Sequence, residues 1–134
     1  MKYILITITL LNVFSLAKAQ QPDTSQDDKI FTAVEKDPIF KGGIGKFYQY
    51  LSENLHYPAN AVKNHLQGKV FITFVVEKDG KLTDVKVVRG VSEDIDAEAI
   101  RVIKGSPKWD PGTQNGRPVR VQYTMPLNFT LTGK

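Results

Sequence analysis

The chain has 134 residues and a mass of 15.0 kDa, which allows one domain, and 41% of its residues are hydrophobic, which is enough for a core. It contains no cysteine, so a disulfide framework and a lipid-modified N-terminal cysteine are excluded. The formal net charge is +4, yet no run of Lys and Arg interleaves with aromatic residues, so nucleic-acid binding is not indicated.

Residues 1–19 have the pattern of a secretory signal peptide. A positive residue, Lys2, precedes a short apolar run that ends at Leu16. An A-x-A cleavage site follows, formed by Ala17, Lys18 and Ala19, with Gln20 as the first mature residue. Because the apolar run is shorter than the roughly 20 residues of a spanning helix, cleavage is favoured over retention as a membrane anchor.

The segment 20–36 is mostly polar and is predicted to be an N-terminal tether. Its 17 residues would reach at most about 60 Å when fully extended. The folded domain is predicted to span residues 37–132.

Two short helices are predicted at the start of this domain. The first spans Gly43 to Leu55, and its apolar residues recur at helical spacing. These residues are Ile44, Phe47, Tyr48, Leu51 and Leu55. The second runs from Ala59 to Leu66, with Pro58 in its first turn and Gly68 as the residue that ends it.

A β-hairpin and a third helix follow. Val70 to Val76 alternates with a period of two, Asp79-Gly80 supplies a tight turn, and Leu82 to Arg89 returns. The third helix is capped by Ser92 or Asp94 and ends near Lys104. Its predicted inner stripe consists of Ile95, Ala99, Val102 and Ile103.

The last predicted strand runs from Val119 to Leu131, with apolar residues at every odd position and mostly polar residues between them. Pro126 has no N–H, so this strand is predicted to lie at the edge of the sheet. An open edge can accept another chain. Alternatively, Pro126 is itself the device that prevents unwanted pairing.

The order helix, helix, strand, strand, helix, strand predicts an α+β fold and, with four short motifs, resembles the C-terminal domain of the TonB family from about Pro38 to Phe129. The motifs are His56-Tyr57-Pro58, Gln67-Gly68-Lys69-Val70, Lys78-Asp79-Gly80 and Pro107-Lys108-Trp109-Asp110-Pro111-Gly112. Phe40-Lys41-Gly42-Gly43 is similar to the Phe-Pro-Gly-Gly of one branch of the family, with Lys41 in place of the proline.

The resemblance implies a three-stranded antiparallel sheet backed by helices and a periplasmic role in coupling inner-membrane energy to outer-membrane transporters. In the family, a short transporter segment, the TonB box, adds as a strand beside the last strand of the domain. The partner-binding residues implied by position are Tyr57, Pro58, Arg120, Gln122, Thr124, Pro126 and Asn128. About five net hydrogen bonds at roughly 1 kcal/mol each would balance the ordering of the segment, so binding is expected to be weak and reversible.

The chain departs from a family energy transducer, which has a transmembrane anchor and a long Pro-rich linker. With a cleaved signal, the expected protein is a free periplasmic module that contacts membranes only indirectly, and acts as an adaptor, competitor or regulator in TonB-dependent transport. Two alternatives stay open. The same edge could pair with a second copy of the chain, or an uncleaved signal could make the protein an inner-membrane transducer.

Enzyme chemistry, cofactors and metals find little support in the sequence. Catalytic motifs such as GxSxG and HExxH are absent, and the glycine-rich segment at Gly42 lacks the end of a phosphate-binding loop. His56 and His65 lack further metal ligands at a recognisable spacing and are predicted to be surface residues at helix ends. The acids Asp94, Asp96 and Glu98 fit the dipole at the start of the third helix better than an acid/base pair.

Two aromatic and two cationic residues each have a structural and a functional interpretation. Trp109, between two prolines, is predicted to cover the sheet as part of the core rather than to bind a ligand. Tyr57 is equally consistent with packing and with partner contact. Arg117 and Arg120 flank the start of the last strand, where they fit a solvated pair of cations better than a steering site for an acidic segment.

Overall fold

The structure is a computed structural model that describes residues 28–131. The predicted signal peptide, its cleavage site and the first part of the predicted tether lie outside the described residues. The elements are β1 (Ile30–Phe31), β2 (Ile39–Phe40), α1 (Ile44–Asn54), α2 (Ala59–Lys63), β3 (Gly68–Val76), β4 (Leu82–Arg89), α3 (Glu93–Lys104), β5 (Trp109–Asp110), β6 (Thr113–Gln114), β7 (Arg117–Pro118) and β8 (Arg120–Phe129).

The main sheet confirms the predicted α+β class and the predicted element order. Its strand order is β1-β8-β3-β4, in which β3 pairs antiparallel with both β8 and β4. The sheet has four strands rather than the predicted three, because the two-residue β1 joins β8 in parallel. Two small pairs, β2 with β5 and β6 with β7, lie outside this sheet.

The core lies between one face of the sheet and the helices. Strand β3 places its alternate residues there, and the odd-numbered residues of β8 point to the same side. The largest fully buried side chains on these strands are Val70, Ile72, Phe74, Val76, Leu127 and Phe129. α3 covers them with its predicted stripe of Ile95, Ala99, Val102 and Ile103, all of which are buried. Ser92 caps α3 by accepting a hydrogen bond from Ile95 N at 3.3 Å, which confirms one of the two predicted caps.

Helix α1 buries a narrower stripe than its sequence pattern predicts. Phe47 is fully buried and Leu51 and Leu55 are half-buried, but Ile44 and Tyr48 are 56% and 63% exposed. Tyr50, which is not part of the predicted stripe, packs against the core, and its hydroxyl donates to the Val102 carbonyl at 2.7 Å. The prediction was wrong for Ile44 and Tyr48 because helical spacing groups residues on one face but does not tell how far the neighbouring strands extend beneath it.

Helix α2 is shorter than predicted and ends without a glycine. It stops at Lys63, and His65 takes the left-handed conformation with φ 52°. Leu66 N donates to Ala61 O at 2.9 Å and His65 N to Val62 O at 3.2 Å, the two bonds of a Schellman motif. The predicted terminator, Gly68, instead begins β3.

The segment before β2 packs against the domain as far as it is described. β1 pairs Ile30 with Arg120 and Phe31 with Val121, and Lys36 pairs with Thr113 through backbone bonds of 3.2 and 2.9 Å. These paired residues lie N-terminal to residue 37, where the domain is predicted to begin. Within residues 28–131, no helix combines the length and the apolar composition needed to cross a membrane.

Candidate functional site

The outer edge of β8 is the longest regular strand edge that the described part of the chain leaves unpaired. β3 pairs with β8 without a register shift from Val121 to Phe129. On the opposite side, β1 pairs only with Arg120 and Val121. Among residues 28–131, no strand pairs with that side from Gln122 to Phe129. An extended segment of about 25 Å could therefore lie beside β8.

One side-chain contact shows which residues of β8 direct their backbone N–H and C=O groups toward this open edge. Thr73 Oγ1, on β3, donates to the Tyr123 carbonyl oxygen at 3.2 Å, so this carbonyl points toward β3. Backbone direction alternates along a strand, so the even-numbered residues of β8 present their N–H and C=O groups outward. These residues are Gln122, Thr124, Pro126 and Asn128, and Pro126 offers only its carbonyl. The proline thus interrupts the outer edge and leaves the β3 ladder intact.

The other edge of the sheet, β4, is less regular. Its pairing with β3 shifts register twice, between Phe71 and Ile72 and between Thr73 and Val75. Asp84, opposite the second shift, has a positive φ of 49°. Bulges of this kind twist an edge and hinder the addition of another strand. The outer edge of β8 is therefore the more regular of the two open edges.

An apolar groove adjoins the open edge on the helix side. It is formed by α1 and β8 and has a volume of about 350 Å³. Its lining residues are Tyr48, Leu51, Ser52, Leu55, Pro126, Leu127 and Asn128. The sequence pattern assigned the three apolar α1 residues to the core, so the groove was missed.

The face of β8 that points away from the helices is polar. Thr124 Oγ1 and Gln122 Nε2 lie 3.2 and 3.4 Å from Thr73 Oγ1 and form a small hydrogen-bonded cluster. A second cavity, beside Gln122, Tyr123 and Thr124, is bordered by Thr32 and Asp37 of the N-terminal segment. The two sides of the edge therefore differ in polarity.

Arg120 is engaged within the domain. Its Nε and Nη2 lie 2.7 and 3.0 Å from the two carboxylate oxygens of Glu77, and its Nη1 donates to the Asp28 carbonyl at 3.0 Å. The hydrogen bond from Arg120 lowers the pKa of Glu77 and more than offsets the opposing effect of burial. Arg120 thus ties the start of β8 to the end of β3 and to the N-terminal segment, whereas the neighbouring Arg117 is exposed.

Tyr57 and Pro58 lie near the other end of β8. The Tyr57 ring packs edge-on against Phe129 with centroids 5.8 Å apart, and its hydroxyl donates to the Leu66 carbonyl. Both residues are half-buried, and they border a cavity of about 490 Å³ that also contacts Asp94 and Arg101. The structure thus shows the packing role of Tyr57, and its contact with a partner stays a prediction.

A buried carboxylate that sequence reasoning assigned to the helix dipole joins two elements. Glu98 is only 9% exposed, pairs with Arg101, and accepts a hydrogen bond from His56 N at 3.1 Å. Arg101 Nη2 also donates to the Asn54 carbonyl at 2.7 Å, so the pair fastens the end of α1 to α3. Burial opposes ionisation of Glu98, but the bonds from Arg101 and His56 outweigh it and lower its pKa.

Trp109 lies in the core, as predicted. It is 5% exposed, and its ring contacts those of Phe40, Phe47, Phe74 and Tyr123 at centroid distances of 5.3 to 6.0 Å. Its Nε1 donates to Ser106 Oγ at 3.0 Å. In the part of the chain that the structure describes, no three acidic or histidine side chains cluster in a way that could hold a metal ion.

Comparison with known proteins agrees with this architecture. The family model described as the Gram-negative bacterial TonB protein C-terminal matches residues 53–131. A solution structure of the Helicobacter pylori TonB C-terminal domain is 23% identical, with a TM-score of 0.51, and the match covers 68% of this chain and 82% of that one. A shorter segment of the same domain is 24% identical, with a TM-score of 0.52, and covers 68% and 96% of the two chains.

At these identities the two structures show a shared fold. No curated protein matches the chain. The family model spans more than half of the 134 residues and includes all of α2, β3, β4, α3 and β8. The chain therefore belongs to the TonB C-terminal family.

Proposed function

We propose that this domain binds an extended segment of an outer-membrane transporter or of another periplasmic protein by adding it as a strand beside β8. The observation that carries the proposal is the regular, unpaired outer edge from Gln122 to Phe129. Main-chain groups supply the attraction in this mode of recognition, and alternate side chains supply the selection. Membership of the TonB family, whose C-terminal domains act as interaction modules, supports a role in protein binding.

The backbone contribution to such binding is small. Each hydrogen bond adds about 1 kcal/mol net, whereas ordering a flexible segment costs about 1–2 kcal/mol per residue. Pro126 removes one outward donor and lowers the backbone contribution further. Binding is therefore weak and reversible, and side-chain contacts decide which segments bind.

The proposed role is that of a periplasmic adaptor, competitor or regulator in TonB-dependent transport. It depends on cleavage of the predicted signal between Ala19 and Gln20. N-terminal sequencing of the protein from cells tests this step. A chain that begins at Gln20 in the periplasmic fraction is expected, whereas a chain that begins at Met1 in the inner-membrane fraction would make the protein an anchored energy transducer.

An NMR titration tests strand addition. The ¹⁵N-labelled mature domain is titrated with peptides from the N-terminal segments of TonB-dependent transporters. We expect shifts and slower amide exchange at Gln122, Thr124 and Asn128. The regular edge would not be the site if the shifts fell on β4 or were absent from β8.

The second candidate function is self-association through the same edge, because an open strand can pair with a copy of itself. Sedimentation at several concentrations distinguishes the two functions. A dimer that forms at low concentration and does not dissociate on adding peptide would favour self-association.

A further inference from the structure

The apolar residues of α1 that remain uncovered lie beside the open edge. Tyr48 is 63% exposed, although it belongs to the same helical face as the fully buried Phe47. Leu51 and Leu55 continue this face and are half-buried. A single exposed tyrosine is common on protein surfaces. Tyr48, however, lines a groove together with Leu51 and Leu55, so the three residues form one partly exposed apolar surface.

The floor of this groove is the open part of β8. Pro126, Leu127 and Asn128 line it. The carbonyl of Pro126 and the N–H and C=O groups of Asn128 point away from β3, at the free edge of the sheet. A strand added there would lie about 4.8 Å from β8. It would therefore run along the groove, with α1 above it.

The direction of the added side chains follows from cross-strand pairing. A residue opposite Leu127 shares its face of the sheet, which is the face under α1. Residues opposite Pro126 and Asn128 point to the other face, where Thr124 and Asn128 are exposed. The added strand thus meets an apolar surface with one set of alternate residues and a polar surface with the other.

The groove also disfavours charge. None of the residues that line it is charged. An ionised side chain placed there would lose water without gaining a partner of opposite sign. An aliphatic side chain would bury its own surface and that of Tyr48, Leu51 and Leu55.

Resting on the proposed function, we infer that the β8 edge selects extended segments with uncharged aliphatic residues at the alternate positions that face α1, and that Tyr48 is a specificity-determining residue. The residue opposite Leu127 occupies the groove. The side chains that face away from α1 are polar.

Two synthetic peptides of equal length and charge test the inference. In the first, valine and threonine alternate between terminal lysines, and in the second every valine is replaced by threonine. Valine and threonine have similar shape and β propensity, so the pair isolates the apolar contact. We expect the first peptide to bind the mature domain about tenfold more tightly, as measured by amide shifts along β8.

The Tyr48→Ser variant tests whether the groove causes the preference for the valine peptide. Because Tyr48 is mostly exposed, the variant should retain the fold, which its amide spectrum checks. We expect it to lose most of the preference for the valine peptide over the threonine peptide. Val88→Ser, which changes a 58% exposed residue on β4, is the matched control and should leave both affinities unchanged.

The outcomes separate the two proposals. Equal binding of the two peptides at β8, or an unchanged preference in Tyr48→Ser, overturns the groove inference and leaves strand addition standing. Absence of any shift at β8 with either peptide counts against the proposed function, and the groove inference fails with it.

Discussion

At the scale of single residues, the turn of the β3–β4 hairpin shows why one glycine is required. Gly80 has a φ of 87°, and its carbonyl accepts a hydrogen bond from Trp109 N at 2.9 Å. A Cβ built on it would lie 1.9 Å from the Trp109 carbonyl oxygen. The turn and the core tryptophan are therefore in direct backbone contact.

Gly80→Ala is expected to lower the free energy of unfolding by about 2 kcal/mol or more, because strained backbone and a clash add together. Gly116→Ala is the control, since its φ of 74° is also positive but no atom lies within 4 Å of an added Cβ. It should cost about 1 kcal/mol. Urea denaturation measures both variants, and equal losses would contradict the role of the Trp109 contact.

The buried Glu98 gives the domain an acid-sensitive link between α1 and α3. Its pKa is depressed in the folded state, so its stabilising effect is complete above the ordinary glutamate pKa of about 4.3 and is lost as pH falls through the folded value. The hydrogen bond from Arg120 also lowers the pKa of Glu77 in the folded state, so this residue too loses its stabilising effect as the pH falls.

Glu98→Gln should lower the free energy of unfolding by about 1–2 kcal/mol at neutral pH, because the amide cannot replace the charged bonds to Arg101. The difference from the wild type should shrink as the pH falls from 5 toward 3. Unfolding curves across this range measure it. Glu53→Gln, an exposed carboxylate on α1, serves as the control, and a difference that stays constant with pH would refute the link.

At the scale of elements, Pro126 limits the number of hydrogen-bond donors on the outer edge of β8. The β3 ladder continues past it through the pair with Phe71, and the missing donor lies on the outer side. A replacement that has an N–H would complete the row of outward groups. A complete row is a better template for a second copy of the strand.

Pro126→Thr is therefore expected to increase self-association, seen as a larger dimer fraction in sedimentation velocity at increasing concentration. Thr124→Ser is the matched control, because it changes an exposed side chain on the same edge and retains every backbone donor. If the two variants sediment alike, the proline does not protect the edge.

At the scale of the whole molecule, residues 28–36 pack on the domain surface. β1 caps the start of the β8 edge, and Glu35 N donates to Gln114 Oε1 at 3.0 Å. These contacts join residues far apart in the sequence. They also set where the free edge begins, at Gln122.

A chain that begins at Asp37 should be less stable than one that begins at Asp28 by about 1–2 kcal/mol, because it loses the β1 bonds and the contact of Arg120 with the Asp28 carbonyl. A chain that begins at Gln20 is the control, and its stability should equal that of the chain that begins at Asp28. Thermal and urea unfolding measure all three, and equal stability of the Asp37 and Asp28 chains would return the segment to the role of a tether.

Much of this architecture is readable from local sequence. The hairpin, the cap of α3 and the alternation of β8 were predicted correctly because each depends on neighbours in the chain, such as the Asp79-Gly80 turn or the period of two. The motifs around Tyr57 and Trp109 were enough to indicate the family. Local patterns decide which elements form.

The tertiary structure decided which surfaces remain free. Residue spacing could not show that Tyr48 lies beyond the edge of the sheet, that Glu98 is buried against Arg101, or that β1 covers Arg120 and leaves Gln122 open. Each of these depends on where distant segments end relative to one another, and no local pattern encodes that distance. The sequence alone determined an α+β pattern with a long final strand, and the packing determined how much of that strand remains available.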